Sequence, residues 1–180
     1  MLQTISLYVE NQFGVLARVA GVLSARGFNI DSLTVAKTLD PHFSQMTVVV
    51  DVDESLCEQV MKQLSKLVNV VQAVDLSQVQ AVQREMVLVK VHLPAEMRPG
   101  LLQEAEIFRA RVVDAASDSY TLEATGDSQK LEAFLRVLGN YGRLEVARTG
   151  AVALPRGAVN SRNGNSSKAS PQPQGGPILI

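Results

Sequence analysis

The feature that most constrains the fold is an internal repeat, because one order of strand-like and helix-like segments occurs twice along the chain. The strand-like segments alternate apolar and polar side chains, and the helix-like segments place apolar side chains three and four positions apart. The first copy has the order strand, helix, strand, strand, helix, strand, over residues 2–10, 15–26, 28–37, 43–52, 55–67 and 68–76. This order predicts a split βαβ unit with two helices and an antiparallel sheet.

The second copy follows a polar connector and repeats that order. Its segments are residues 86–93, 99–109, 110–117, 119–126, 128–138 and 143–154. The tetrapeptides at 13–16 and 99–102 both place a glycine where the first helix of their copy begins. The sequence therefore predicts an α+β fold made of two ferredoxin-like βαββαβ domains in tandem.

Polar residues mark the predicted starts of two helices. Ser55 and Glu58 have the spacing of a capping box, in which two side chains satisfy free backbone N–H groups. Asp127 or Ser128 is predicted to cap the last helix. The acidic cluster at residues 51–54 is interpreted as part of a helix start rather than as a metal site.

Composition shifts predict the domain boundaries. We expect a first domain over residues 1–76, a polar linker over 77–83 and a second domain over 84–154. Residues 155–180 are rich in Ser, Asn, Gly, Pro and Gln, which cannot bury a core, so this segment is predicted to be a disordered tail.

Composition also excludes several classes of protein. Hydrophobic residues make up 46% and charged residues 19% of the chain, which is typical of a folded protein. The net charge of −1 argues against a nucleic-acid or anionic membrane surface. No apolar run approaches the ~18 residues that span a bilayer, and the N-terminus lacks the pattern of a signal peptide. With a single cysteine, Cys57, the chain fits a reducing compartment, so we expect a cytoplasmic protein without nucleic-acid or membrane partners.

The side chains that usually carry catalysis form no recognisable constellation. His42 and His92 lack the spacing of metal ligands, and Cys57 has no second cysteine near it. No Ser/His/Asp set and no pair of carboxylates suits hydrolysis. The sequence therefore predicts a protein that is not an enzyme and that holds no metal.

Motifs exclude some functions that share the predicted topology. An RNA-binding module would need aromatic side chains along the third strand, but residues 43–52 are aliphatic apart from Phe43. A metallochaperone would need two cysteines in the first loop, and residues 11–14 contain none. An acylphosphatase-like site would need an arginine beside that loop. Arg18 keeps this alternative open, although its position within the helix predicts that it faces water.

The first loop is the strongest candidate for a binding site. The backbone N–H groups of Gly14, Val15 and Leu16 belong to the first turn of a helix, where no carbonyl of the same helix can satisfy them. Such groups favour a carboxylate, and a side chain at position 14 would crowd a ligand lying across them. Asn11 and Asn29 can each accept and donate hydrogen bonds, which suits an ammonium group or a zwitterion.

The apolar residues near this loop are Val15, Leu16, Ile30, Leu33 and Val35. Together with the amides and the asparagines, they fit a small apolar amino acid. The alternative is that Gly14 only serves the turn and that Asn29 only follows the end of a helix. Sequence physics leaves both interpretations open.

Residues 10–35, ENQFGVLARVAGVLSARGFNIDSLTV, closely resemble the opening of the small regulatory subunits of acetolactate synthase, also called acetohydroxyacid synthase. The pattern E-N-x-x-G-x-L-x-R-V-x-G-x-x-x-x-R-G-[FY]-N-I-x-S-L-T-V is matched throughout, and Ala17 stands where some relatives have serine. The similarity continues through MTVVV, QLSKLVNV, REMVLVKV, EIFRARVVD and EVARTG, and covers roughly residues 1–155.

The resemblance implies that residues 1–76 form an ACT domain, a module that pairs with its twin and binds amino acids at the interface. It implies a non-catalytic chain that raises the activity of a thiamine-diphosphate-dependent catalytic subunit and confers feedback inhibition by valine. The effector-binding positions implied by the resemblance are Asn11, Gly14, Val15, Leu16, Asn29 and Ile30, and the apolar Val35 completes the predicted site.

The resemblance also implies the partners and cofactors. We expect a homodimer, a complex with the catalytic subunit and valine as the effector. No cofactor is expected on this chain, whereas thiamine diphosphate, Mg²⁺ and FAD are expected on the catalytic subunit. The second copy lacks the two asparagines around its glycine, so it is expected to contact the catalytic subunit or to support the dimer. The alternatives are a free-standing ACT-type amino-acid sensor, acting on another enzyme or on transcription, and a small phosphatase.

Overall fold

The structure, a computed structural model, describes residues 1–157, so most of the predicted tail lies outside the described residues. The first unit comprises β1 (Leu2–Glu10), α1 (Val15–Ser24), β2 (Ile30–Lys37), β3 (Phe43–Asp51), α2 (Glu54–Leu64) and β4 (Val70–Asp75). The second unit comprises β5 (Ala81–His92), α3 (Arg98–Ile107), β6 (Arg111–Ala115), β7 (Ser119–Gly126), α4 (Ser128–Leu138), β8 (Arg143–Arg148) and β9 (Val152–Pro155).

Both units contain an antiparallel sheet with the same strand order, β2-β3-β1-β4 in the first and β6-β7-β5-β8 in the second. In each sheet the first strand of the unit is central, because β1 pairs with β3 and β4, and β5 pairs with β7 and β8. The predicted α+β fold, with two ferredoxin-like βαββαβ units in tandem, is confirmed.

Each unit has its own core between its helices and one face of its sheet. Alternate residues of neighbouring strands build the sheet side of this core, as the pairing of Leu7 with Met46 illustrates. The first core includes Ile5, Leu7, Val9, Val19, Leu23, Val48, Cys57, Val60 and Leu64. The second includes Val87, Val89, Val91, Leu101, Leu122, Leu131, Phe134 and Leu138. Each unit therefore packs around a separate hydrophobic core.

One of the two predicted helix caps is wrong and the other is confirmed. Helix α2 begins at Glu54, and the carbonyl of Asp53 accepts bonds from the N–H groups of Leu56 and Cys57. Ser55 therefore lies inside the helix and cannot form the predicted capping box. At α4, by contrast, the Asp127 side chain accepts a bond from the N–H of Lys130 at 2.8 Å.

The last predicted strand is divided in two. Residues 143–148 pair with residues 87–92 of β5, whereas residues 152–155 pair with residues 81–84 of the same strand. The break lies at Gly150, which has a φ of 80° that extended backbone cannot have. Strand β5 thus begins inside the predicted linker, and β9 ends at Pro155, the first residue of the predicted tail.

The two units touch through the face of the first sheet that its helices leave open. Thr34 Oγ1 donates to the carbonyl of Thr149 at 3.4 Å, and the N–H of Ala151 donates to Ser32 Oγ at 3.2 Å. These contacts place the break between β8 and β9 against β2, the edge strand of the first sheet.

Candidate ligand site at the start of the first helix

Gly14 is the residue that precedes α1, and it has a left-handed conformation with φ 79° and ψ −4°. This conformation favours glycine, because a Cβ strains it. A Cβ built at this position would have no heavy atom within 4 Å. Gly14 therefore turns the chain into the helix and leaves open space in front of the first turn.

The first-turn amides are not equally available. The N–H of Val15 reaches back to the carbonyl of Gln12 at 3.4 Å, a long bond. The carbonyl of Gly14 already accepts the N–H of Arg18 at 3.0 Å, which begins the helical ladder. The N–H groups of Gly14 and Leu16 have no carbonyl partner within the helix. An anion in the open space would find these two donors and the positive end of the helix dipole.

Asn11 is oriented by the turn between β2 and β3. Its backbone N–H donates to the carbonyl of His42 at 2.7 Å, and its Nδ2 donates to the carbonyl of Pro41 at 2.9 Å. The second bond engages Nδ2, and Oδ1 is the acceptor atom of the amide. Asn11 can therefore accept a hydrogen bond from an ammonium group.

Asn69 ties the other side of the loop to the helix. Its carbonyl accepts the N–H of Glu10 at 2.9 Å, and its Nδ2 donates to Glu10 Oε2 at 2.7 Å and to Gln12 Oε1 at 3.4 Å. Its Oδ1 accepts a bond from Arg18 Nη1 at 2.6 Å. The guanidinium of Arg18, predicted to face water, is thus engaged by Asn69 rather than left to cradle a phosphate.

Sequence reasoning did not single out Asn69, which is only 7% exposed. The available signal was a polar residue between Val68 and Val70 at the start of a strand. Its partners lie about 50 to 60 residues away along the chain, as the separation from Arg18 shows, so the pattern around it could not reveal them.

The predicted apolar site residues differ in how much of their side chain is exposed to a ligand. The side chains of Leu16 and Val35 are 44% and 41% exposed. Val15 is buried in the first core, so its side chain cannot line an open site. Ile30 is half-buried and packs against the same core, while Phe13 is fully exposed at the tip of the loop.

Within one chain, the predicted residues fall into two separate groups. Asn11 and Gly14 lie at the start of α1, whereas Asn29 follows its end, about 15 Å away for a helix of ten residues. Strand pairing shows the same separation, since Ile30 pairs with Val50 at the opposite end of β3 from Phe43. One chain alone does not bring the two groups together.

The corresponding corner of the second unit is filled by the protein itself. Gly100 lies inside α3, and a Cβ there would be 3.2 Å from both Cε1 and Oη of Tyr141. Arg98, at the start of the helix, lies 5.6 Å from the centroid of the Tyr120 ring. Gly100 thus makes room for an aromatic side chain, and the second copy has no open counterpart of the space at Gly14.

Cys57 has no nucleophilic character. Burial, followed by the nearby Asp75 carboxylate, raises the pKa of its thiol to about 12. The thiol donates to Asp75 Oδ2 at 3.5 Å. A thiol with this pKa stays protonated at neutral pH and is unreactive.

Both histidines form surface pairs with carboxylates. His42 Nδ1 lies 2.8 Å from Asp40 Oδ1, and His92 Nε2 lies 2.8 Å from Glu145 Oε1. The backbone N–H of His42, followed by its ring, lowers the pKa of the Asp40 carboxyl. Across residues 1–157, no cluster of three or more His, Cys, Asp or Glu side chains suits a metal ion. In that same stretch, no helix has the length and apolar character needed to cross a membrane.

A second concave region lies between the two units and has a volume of about 490 Å³. Its charged lining includes Asp31, Glu85, Glu132 and Arg148. Arg148 donates two bonds to Glu85, from Nε to Oε1 at 2.7 Å and from Nη2 to Oε2 at 2.9 Å. The arginine that lines this cleft is already paired, so a carboxylate ligand is better served by the amides of α1.

Comparisons with known proteins give a consistent result. A family model described as the small subunit of acetolactate synthase matches residues 84–157, and one described as an AHAS small subunit-like ACT domain matches residues 5–72. A probable acetolactate synthase small subunit of Archaeoglobus fulgidus is 47% identical over 157 residues, covering 87% of this chain and 98% of that protein.

Two further relatives agree. The acetolactate synthase small subunit of Mycolicibacterium smegmatis is 47% identical over 154 residues, covering 86% of this chain and 91% of that protein. The crystal structure of the acetolactate synthase small subunit from Thermotoga maritima superposes with a TM-score of 0.79 at 37% identity, over 88% of this chain and 99% of that one. These similarities extend across both units.

Proposed function

This chain belongs to the family of acetolactate synthase small subunits, and from that premise we propose that it is a non-catalytic regulatory subunit. It raises the activity of a thiamine-diphosphate-dependent catalytic subunit and makes that activity sensitive to valine. Thiamine diphosphate, Mg²⁺ and FAD belong to the catalytic subunit in this proposal, and this chain carries the effector site.

The observation that carries the proposal is the open space in front of α1 at Gly14. The carboxylate of valine lies across the N–H groups of Gly14 and Leu16, where the helix dipole favours negative charge. The ammonium group of valine donates to Asn11 Oδ1, since the bond to Pro41 engages only the Nδ2 atom of this amide. The exposed side of Leu16 contacts the isopropyl group.

A second copy of the chain supplies the other half of the site. β2 is an edge strand, and unpaired edges favour pairing with another chain. Antiparallel pairing of β2 with its copy about a two-fold axis at the middle of the strand sets Ile30 beside Lys37 of the copy. Lys37 lies at the loop end of the sheet, because its partner Ser44 also pairs with Val9.

This arrangement supports a site at the interface of two chains. Asn29 and Ile30 of one chain reach the loop of Asn11 and Gly14 in the other, and Val35 lies between the two ends of β2. Valine then inhibits by favouring the less active arrangement of the subunits, with a coupling free energy of about 1–3 kcal/mol.

The test is to co-purify the chain with the catalytic subunit and to titrate valine. We expect the chain to raise synthase activity and valine to lower it in a dose-dependent manner. Calorimetry of the regulatory dimer should show valine binding over the same concentration range. A chain that raises activity but neither binds valine nor responds to it would overturn the effector proposal.

A further inference from the structure

We infer that Asn69 is a positioning residue that holds the Glu10–Gly14 loop and the first turn of α1 in the geometry that binds the effector. The inference rests on the proposed function and extends it to a residue that touches no ligand. Asn69 lies in the turn between α2 and β4, on the side of the loop opposite the turn that orients Asn11.

The hydrogen-bonding capacity of Asn69 is directed at three structural elements. Its Nδ2 donates to the side chains of Glu10 and Gln12, at the end of β1 and in the loop. Its Oδ1 accepts from Arg18 on α1, and its backbone carbonyl accepts the N–H of Glu10. With only 7% of its surface exposed, Asn69 has little water available to replace a lost partner.

These partners surround the proposed carboxylate site. Glu10 and Gln12 flank Asn11, whose Oδ1 is the proposed acceptor for the ammonium group. The backbone N–H of Arg18 donates to the carbonyl of Gly14, so the bond from its side chain fixes the helical turn that carries the amides. Loss of Asn69 would free the loop and the turn to move relative to each other, and sub-ångström placement decides whether two amides meet one carboxylate.

The charges of Glu10 and Arg18 explain why position 69 is occupied by an amide side chain. Glu10 is an anion beside a proposed anion site, and Arg18 is a cation on the same turn. Asn69 stands between them, donating to the carboxylate and accepting from the guanidinium. Aspartate could only accept, so Asn69→Asp would keep the bond from Arg18 but would face the Glu10 carboxylate with a like charge. Alanine would remove all three side-chain bonds, those to Glu10 and Gln12 and that from Arg18.

The experiment compares valine binding by full-length variants, measured by calorimetry, with valine inhibition of the reconstituted holoenzyme. We expect Asn69→Ala to weaken valine binding by about tenfold or more, while activation of the catalytic subunit stays within about twofold. Asn69→Asp should lie between Asn69→Ala and the wild type. Asn140→Ala, in the corresponding turn between α4 and β8, is the matched control and should bind valine as the wild type does.

If Asn69→Ala does not fold, Arg18→Met tests the same bond. Arg18 lies on an exposed helix surface, so we expect this variant to fold. It should also weaken valine binding, and where Asn69→Ala folds the two effects should not add fully, since both variants remove the bond between Arg18 and Asn69 Oδ1. Wild-type affinity in Asn69→Ala or, if that variant is unfolded, in Arg18→Met would overturn the positioning role. Absence of valine binding by the wild-type chain would instead overturn the proposed function.

Discussion

Gly14 has two properties that substitution can separate, a left-handed backbone and open space in front of the helix amides. Asparagine and aspartate adopt this conformation at lower cost than other side chains. The two residues have nearly the same shape and differ in charge. Replacing Gly14 with each of them therefore distinguishes the effect of bulk from the effect of a fixed carboxylate.

We expect Gly14→Asp to abolish inhibition by valine while the chain still activates the catalytic subunit. Its carboxylate would lie where the carboxylate of valine is proposed to bind, and two like charges cannot share the amides. Gly14→Asn should weaken inhibition less. Synthase assays with a valine titration check both, and Gly21→Asp, which places the same charge on α1 in open space, is the control. Equal inhibition of the wild type and Gly14→Asp would contradict the site.

The thiol of Cys57 is expected to resist alkylation in the native chain. Its pKa of about 12 and its burial leave almost no accessible thiolate. At pH 8 the thiolate fraction is about a thousandfold below that of an ordinary cysteine. Iodoacetamide labelling followed by mass spectrometry should therefore be slow in buffer and fast in concentrated urea. Rapid labelling of the folded chain would show that the α2–β4 contact around Cys57 opens readily.

At the scale of elements, the pairing of β5 with β8 is held on its open face by charged side chains. Glu145 accepts bonds from His92 and Arg143, which lower the pKa of its carboxyl, and Lys90 lies directly across from it. A carboxyl whose pKa is lower in the folded chain stabilises the fold above its unfolded pKa. That stabilisation disappears as the pH falls through the folded pKa.

We therefore expect the urea midpoint of Glu145→Gln to lie below that of the wild type at pH 7. The difference between the two midpoints should shrink as the pH falls from the ordinary glutamate pKa of about 4.3 towards pH 3, because the stabilisation is lost through the lower folded pKa. Glu106→Gln, a change at an exposed position on α3, controls for the general loss of one negative charge. A difference between wild type and Glu145→Gln that is the same at pH 7 and pH 3 would contradict the contribution assigned to this carboxylate.

The elements that sequence predicted best are those whose apolar side chains repeat locally. β1 and α4 follow from period-two and helical spacing, and Asp127 caps α4 as its position before the helix indicates. The capping box at Ser55 failed because a spacing alone does not say which carbonyl begins the helix. The β8–β9 break was not predicted because Gly150 is a single glycine without further turn residues beside it, and the side chains that it approaches, Ser32 and Thr34, are far away in sequence.

The whole molecule sets the limit of prediction for the candidate site. The predicted helix over residues 15–26 already set Gly14 and Asn29 at its opposite ends, and the fold adds the strand pairing that keeps these two ends apart in one chain. Asn69 joins residues far apart in sequence, and no local pattern encodes such a junction. The interface between the units was equally hidden from local patterns, since Ser32 and Ala151 are in contact but lie 119 positions apart in sequence.

At Gly150 the second unit lies so close to the first that a side chain would meet atoms of β2. A Cβ there would lie 3.1 Å from Thr34 Oγ1 and 3.2 Å from Ser32 Oγ, and the residue has a φ of 80°. We expect Gly150→Val to lower the free energy of unfolding by about 1–3 kcal/mol, because it combines backbone strain with overpacking. Since each unit has its own core, the loss should also reduce the cooperativity between them.

Differential scanning calorimetry of the wild type and Gly150→Val tests this expectation, and the variant should show a lower and broader transition. Gly27→Val is the matched control, because Gly27 has a φ of 73° but no heavy atom within 4 Å of a built Cβ. It therefore carries the backbone strain without the contact between units. If both variants lose the same stability and keep a sharp transition, backbone conformation alone explains Gly150. A larger loss and a broader transition in Gly150→Val alone would show that β2 and the Thr149–Ala151 segment fold as one interface.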